Sequence, residues 1–142
     1  MARILKKKGS KFKSGLEYRV ASSLRGMKLN FDYETESIPY TIQSFYKPDF
    51  IVYTKSGNKI YVEAKGEWDS ADRRKHLSLR QQRPGLDIRF VFTNPDQRIR
   101  KGSSTTYRDI CEGRGTGAFK GVTWKYSDAR KKPIVPKEWF EE

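Results

Sequence analysis

One stretch of the chain combines residue types and spacings that could do chemistry on a phosphate. Residues 47–66 read KPDFIVYTKSGNKIYVEAKG and contain Asp49, Glu63 and Lys65, with Ala64 between the last two. Mg²⁺ takes oxygen ligands in octahedral geometry and is commonly held by one or two carboxylates, with carbonyls and water completing the shell. Asp49, Glu63 and the backbone carbonyl of Ala64 would form such a set. Lys65 would then place a cation beside the attacking water and the substrate phosphate. Its pKa would be pulled down by desolvation and the metal's charge, and up by the two carboxylates. A plainer reading also fits: an exposed hairpin face on which Glu63 and Lys65 are simply solvated.

The elements that would bring these residues together are legible. Asp49–Tyr53 and Lys59–Lys65 are rich in Val, Ile, Tyr and Phe, as strands are. Lys55, Ser56 and Gly57 suit a three-residue hairpin loop with Gly57 left-handed. If Thr54 and Asn58 close that loop, Asp49 falls opposite Glu63. Side chains alternate along a strand, so Asp49, Ile51 and Tyr53 share a face, as do Tyr61, Glu63 and Lys65. In this register the two faces coincide and the acids and the lysine form one patch. Pro48 and the intervening apolar residues set the motif apart from a chance pairing of acids and lysine.

Composition bounds the function. The chain has 142 residues, enough for one domain of modest core. Thirty Lys and Arg against 17 Asp and Glu leave a net charge of +13, which points to a polyanion, most simply nucleic acid, although an anionic membrane surface would also attract it. No apolar run spans a bilayer and no signal-peptide core follows the basic start. Cys111 is the only cysteine and His76 the only histidine. An intrachain disulfide, a Cys-based zinc site and a multi-His site within one chain are therefore excluded. Cys111 reads as a small core residue.

Around the hairpin, residues 1–13 carry Lys6, Lys7, Lys8, Lys11 and Lys13 without an acid and read as a flexible basic arm, phosphate-binding or merely solubilising. The rest, 14–142, reads as a single domain. Ser14 and Glu17 have capping-box spacing at the start of a helix that Gly26 ends, and Glu17 reads as a capping residue. Residues 29–40 look like an acidic strand. There Asp32, Glu34 or Glu36 could add a carboxylate to the site, or merely face solvent. Asp69 or Ser70 should cap a helix to about Gln82, with Arg73, Arg74, Lys75, His76 and Arg80 on a basic face. Leu86–Thr93 is nearly all apolar and should be a central, buried strand. Arg98, Arg100 and Lys101 form a second basic run. Ser104 or Thr105 can cap a short helix, Tyr107–Glu112. Residues 113–123 are Gly-rich and read as a loop. Trp124–Tyr126 reads as a short strand, and Trp139 and Phe140 should dock the C-terminal segment.

Pro48-Asp49 followed by Glu63-Ala64-Lys65 matches the PD-(D/E)xK nuclease signature. More specifically the chain resembles the phage endonuclease I family of Holliday-junction resolvases. The segments that carry this are FKSGLE at 12–17, FDYE at 31–34, KPDF at 47–50 and VEAKGEWDSADRRKHL at 62–77. LDIRFVF at 86–92, KGSSTTY at 101–107 and VPKEW at 135–139 extend it. The resemblance implies an α/β fold with a restriction-endonuclease-like core, a mixed central sheet flanked by helices. It implies Asp49 and Glu63 as principal metal ligands, Lys65 as the catalytic lysine and Glu17 as a further active-site carboxylate. Asp32 takes the place of another functional acid, with Glu34 the alternative. It further implies one or two Mg²⁺ ions per site, with Mn²⁺ able to substitute, and a homodimer with exchanged elements. Branched or duplex DNA would be the substrate, in the cytoplasm of a bacterial host. Three functions follow: a structure-selective junction nuclease, a sequence-specific or nicking nuclease of the same fold, and a basic nucleic-acid binder without catalysis.

Overall fold

The computed structural model describes residues 11–142, so Lys6, Lys7 and Lys8 of the basic arm lie outside the described residues. The chain groups into two compact units, Met1–Ser44 and Phe45–Glu142.

In the first unit, Ser14 caps helix α1 (Gly15–Gly26) by accepting from the Glu17 N–H at 3.1 Å. Residues 29–40 do not form the expected strand. A strand needs a ladder partner, and this segment is held instead by side chains: the Tyr33 ring packs edge-on against Phe12 at 4.6 Å and its hydroxyl accepts from the Lys13 N–H at 3.1 Å. Glu34, at φ +55, is out of β geometry altogether.

The second unit is built on a mixed sheet. Strand β1 (Phe50–Tyr53) pairs antiparallel with β2 (Lys59–Lys65). Helix α2 (Ser70–Gln82) carries the chain over to β3 (Ile88–Phe92), parallel to β2. A short helix α3 (Tyr107–Cys111) and a two-stranded ribbon, β4 (Glu112–Arg114) and β5 (Lys120–Thr123), lead to β6 (Lys125–Asp128), parallel to β3. The sheet order is β1-β2-β3-β6. All five residues of β3 are buried, Arg89 included, as its nearly continuous apolar run predicts for a central strand.

Alternation sorts the core onto two faces. Ile88, Phe90 and Phe92 pack with Trp68, Tyr107, Ile110, Cys111 and Trp124. On the other face Ile60, Val62 and Val91 meet Trp139, so the C-terminal aromatics dock as expected. Arg89 also turns to that side. It is buried and pairs with Asp87 and Glu142 under the Trp139 ring.

Two local expectations change. The cap of α3 is Thr106, in a reciprocal capping box with Asp109, and not Ser104 or Thr105. The Gly-rich stretch is a ribbon and not an open loop. A side chain at Gly113 (φ +80) would lie 3.1 Å from the Thr123 methyl, so glycine here permits close strand approach. No helix among the described residues is long and apolar enough to cross a membrane.

Candidate active site

The hairpin closes as its sequence predicts. Thr54 N–H donates to the Asn58 carbonyl at 2.8 Å, and Gly57 sits at φ +85, where glycine is favoured. Phe50 pairs with Val62, which sets Asp49 beside Glu63 and Pro48 beside Ala64. This last juxtaposition has a chemical consequence. Ala64 directs its N–H and C=O towards the β1 side of β2. Pro48 has no N–H, so it cannot donate to the Ala64 carbonyl as a ladder partner would. Asp49 Oδ2 takes the Ala64 N–H at 3.0 Å instead. The proline ends the ladder where a free carbonyl oxygen and two carboxylates come together.

Glu63 is buried, only 3% exposed, because β2 lies inside the sheet. Its Oε1 accepts from the Tyr46 hydroxyl and from the Asp49 N–H at 3.2 Å. Its Oε2 lies 3.4 Å from Lys65 Nζ. Burial, reinforced by Glu63, drives the Tyr46 phenol well above its usual pKa, so Tyr46 is a donor to the carboxylate.

Lys65 is also 2.6 Å from Asp72 Oδ2. Burial works against its charge, but the Asp72 hydrogen bond and the charges of Asp72 and Glu63 outweigh that and hold the ammonium above its usual range. Burial opposes the Asp72 carboxylate too, and Lys65 more than offsets it, leaving the carboxyl below its usual range. Asp72 stands at the third position of α2. Asp69 caps that helix by accepting from the Asp72 N–H at 2.8 Å.

Tyr46 and Asp72 were not picked out by sequence reasoning. Tyr46 lies in the connector before β1. Asp72 lies one turn inside a helix whose start was predictable but whose facing was not. The available signal was the short link from β2 to the Asp69 cap, which brings the first turn of α2 back to the end of the strand carrying Lys65.

In the first unit, the Glu17 carboxylate accepts from the Tyr33 hydroxyl at 2.8 Å, and that bond, with Ser14, keeps it below the usual carboxylate range. Glu17 therefore does more than cap. It lines one cleft with Asp32, among Leu16, Val20 and Phe31. Glu34 pairs with Lys13 at 2.9 Å.

The basic residues divide. Arg74, Lys75 and Arg80 of α2 are exposed, as are Lys11, Arg98, Arg100 and Lys101. Arg74 and Arg100 line one cleft, and Arg98, Arg100 and Lys101 line another, so the two basic runs meet in space. Arg73 and His76 are corrections to the expected basic face. Arg73 is buried and donates to the Trp68 carbonyl. His76 is fully buried against Tyr46, Trp68 and Phe90. The one-turn periodicity of an amphipathic helix accounts for both: positions 73, 76 and 77 face the sheet.

Among the described residues no group of three or more His, Cys, Asp or Glu side chains is placed to hold a metal ion. The oxygen set in the second unit is Asp49, Glu63 and the Ala64 carbonyl.

Fold and site together define a basic α/β protein with paired carboxylates and a lysine at the open end of a hairpin. The family described as phage endonuclease I matches residues 1–142. The chain is 40% identical over 134 residues to endonuclease I of Escherichia phage T7, covering 92% of this chain and 79% of that protein. It is 46% identical over 110 residues to endodeoxyribonuclease 1 of Enterobacteria phage T3, covering 75% of this chain and 70% of that protein. The chain belongs to the phage endonuclease I family.

Proposed function

We propose that this chain is a metal-dependent DNA endonuclease with a PD-(D/E)xK site that cleaves phosphodiester bonds at four-way and other branched junctions, acting as a homodimer. The observation that carries the reading is the hairpin register. It sets Asp49 beside Glu63, whose strand also places Lys65 Nζ 3.4 Å from Glu63 Oε2, in a chain with two named phage endonucleases as relatives.

The donor set is all oxygen, which suits Mg²⁺ or Mn²⁺. Asp49, Glu63 and the Ala64 carbonyl would hold such an ion. A cation held there would supply Lewis-acid chemistry, lowering the pKa of a water and offsetting charge on the phosphate. The chain's own residues do the rest. Tyr46 and the Asp49 N–H hold the Glu63 carboxylate in place. Lys65, kept cationic, faces the phosphate and offsets charge that develops in the transition state. Arg74, Lys75, Arg80, Arg98, Arg100 and Lys101 offer exposed cations to duplex arms. Branch shape and phosphate position, more than base edges, would then select the substrate.

The dimer is supported by exposed apolar surface. Ile38, Tyr40, Ile42 and Phe45 are 72–90% exposed, and the edge strand β1 leaves Phe50, Ile51 and Tyr53 uncovered. Apolar side chains left exposed in each unit are surface for a partner to cover.

The test is Mg²⁺-dependent cleavage of a labelled four-way junction beside a linear duplex of the same arm sequences. Junction cutting that is lost in Lys65→Ala is the expected result. Asp49→Ala should abolish cutting while metal-free junction binding is kept or tightened, because a negative charge near the phosphate is gone. Duplex cutting at one sequence would point to a sequence-specific nuclease. Tight binding without cutting would leave a DNA-binding protein.

A further inference from the structure

Among the described residues two arginines are buried, Arg89 at 1% exposure and Arg73 at 6%, and their surroundings differ. Arg89 lies between two carboxylates, with Nη2 2.8 Å from Asp87 Oδ2 and 2.6 Å from Glu142 Oε2. Arg73 has no carboxylate within ion-pair distance among the described residues. Its Nη1 donates to the Trp68 carbonyl, and the other donors of the guanidinium have no partner there. A guanidinium carries five N–H donors and a charge that it does not shed, and buried charge is ordinarily paired. Around Arg73 the chain adds positive charge instead. Burial is the main reason its guanidinium sits below the usual range. Arg100 and Arg74 push the same way, and Tyr107 and Asp69 oppose them.

Arg73, Arg74 and Arg100 line one cleft of about 360 Å³, together with Ser70, Thr116 and Phe119. Arg74 and Arg100 are exposed, and neither side chain has an ion pair or hydrogen bond among the described residues. Three guanidinium groups on one cleft repel one another, and apolar walls screen them less than water does. An anion in the cleft would turn that repulsion into attraction, and arginine forks suit the oxygens of a phosphate. Asp49, Glu63 and Lys65 do not line this cleft. The cations continue beyond it. Ile99 and Arg100 also line the neighbouring cleft, with Arg98 and Lys101, although Glu67 and Asp69 line that one too. A run of cations suits a chain of phosphates better than an isolated ion.

We propose that the Arg73–Arg74–Arg100 cleft is a phosphate-binding site that takes a backbone phosphate of a DNA arm, distinct from the phosphate that is cut. Arg73, held by the Trp68 carbonyl, is its fixed member, and Arg74 and Arg100 close on the phosphate from the surface. The assignment to DNA rests on the reading of the chain as a DNA endonuclease. The affinity of the cleft for phosphate as such does not.

The test measures binding in metal-free buffer, where no cleavage is needed. Wild type, Arg100→Ala, Arg73→Gln and Lys132→Ala are titrated with a labelled four-way junction over a range of salt. Arg100→Ala and Arg73→Gln should each bind roughly 5–10-fold more weakly near ~0.1 M salt, with the slope of log affinity against log salt reduced by about 1. Glutamine at 73 can still donate to the Trp68 carbonyl. Lys132 is an exposed cation outside the cleft, and Lys132→Ala should keep the wild-type slope. Ethylation interference on the junction locates the contact. A phosphate away from the cut bond should weaken wild-type binding when ethylated and have no effect on Arg100→Ala. A second arm replaces DNA with inorganic phosphate at constant ionic strength. Phosphate should raise the melting temperature of wild type and leave that of Arg73→Gln unchanged. Stabilisation by phosphate, with junction binding unaltered in both arginine variants, would assign the cleft to free phosphate and overturn its assignment to DNA. An equal loss in Lys132→Ala would reveal only the general positive field and overturn the site. So would interference confined to the cut phosphate, or a lower melting temperature in Arg73→Gln while Arg100→Ala binds as wild type does. If wild type binds no junction at all, the reading of the function fails, and the phosphate arm alone then decides whether the cleft is an anion site.

Discussion

At the scale of single residues, burial separates groups that the sequence presents alike. Arg73, Arg74, Lys75 and His76 are four consecutive basic residues, yet 73 and 76 face the core. His76 is the most informative. Among the described residues both ring nitrogens are buried without a hydrogen-bond partner, and Asp72 Oδ1 lies 3.5 Å from Nε2. Burial, only partly offset by Asp72, takes its pKa down from 6.5 to about 4. The folded pKa is depressed, so the unfolded chain binds the extra proton between about pH 6.5 and pH 4. The stability that neutral His76 contributes is complete above pH 6.5 and is lost as the pH falls towards 4, by on the order of 3 kcal/mol at most. Phenylalanine would fill the same aromatic surroundings without a polar atom to desolvate. His76→Phe should melt at or above the wild-type temperature at pH 7, and its melting temperature should fall less between pH 6.5 and 4. An equal fall in both proteins would contradict this account of His76.

At the scale of elements, the site depends on two short pieces of local geometry. The hairpin loop sets which face Asp49 and Glu63 share; a slip of one residue would send them to opposite faces. The cap of α2 sets where Asp72 stands. Asp69→Ala removes the acceptor for the Asp72 N–H and should cost about 1 kcal/mol, a fall of several degrees in melting temperature. Through the link between Asp72 and Lys65 it should also slow cleavage. Asp69→Ser or Asp69→Asn, which can still cap, should restore both. Recovery of stability without recovery of rate would show that the cap and the cleavage site are uncoupled.

At the scale of the whole molecule, charge and exposed apolar surface decide how the chain behaves. A net charge of +13 predicts junction affinity that falls steeply and log-linearly with salt. Sedimentation at micromolar concentration should give twice the 16.6 kDa chain. Replacing Ile38, Tyr40 and Ile42 with serine should shift the protein towards monomer, since these side chains are 72–82% exposed and support little within their own chain. A wild-type protein that stays monomeric at high concentration would count against the proposed dimer.

The amino-acid sequence alone determined what depends on neighbours along the chain. Alternating apolar residues around Lys55–Gly57 specified the hairpin and its register, and hence the meeting of Asp49 and Glu63. The Ser14 and Asp69 caps and the buried run of β3 were legible for the same reason: capping, turn chemistry and side-chain alternation act over a few residues. Local propensity misjudged residues 29–40, which have no strand partner among the described residues, and 113–123, where close approach to Thr123 turns a loop into a ribbon. Only the tertiary structure decided what lies opposite the site. Tyr46 reaches Glu63 from 17 positions away, and Asp72 meets Lys65 only because α2 folds back over the sheet with one particular face inward. Such contacts depend on how elements pack, and packing is set by the volumes and charges of residues distant in sequence, which no short pattern records.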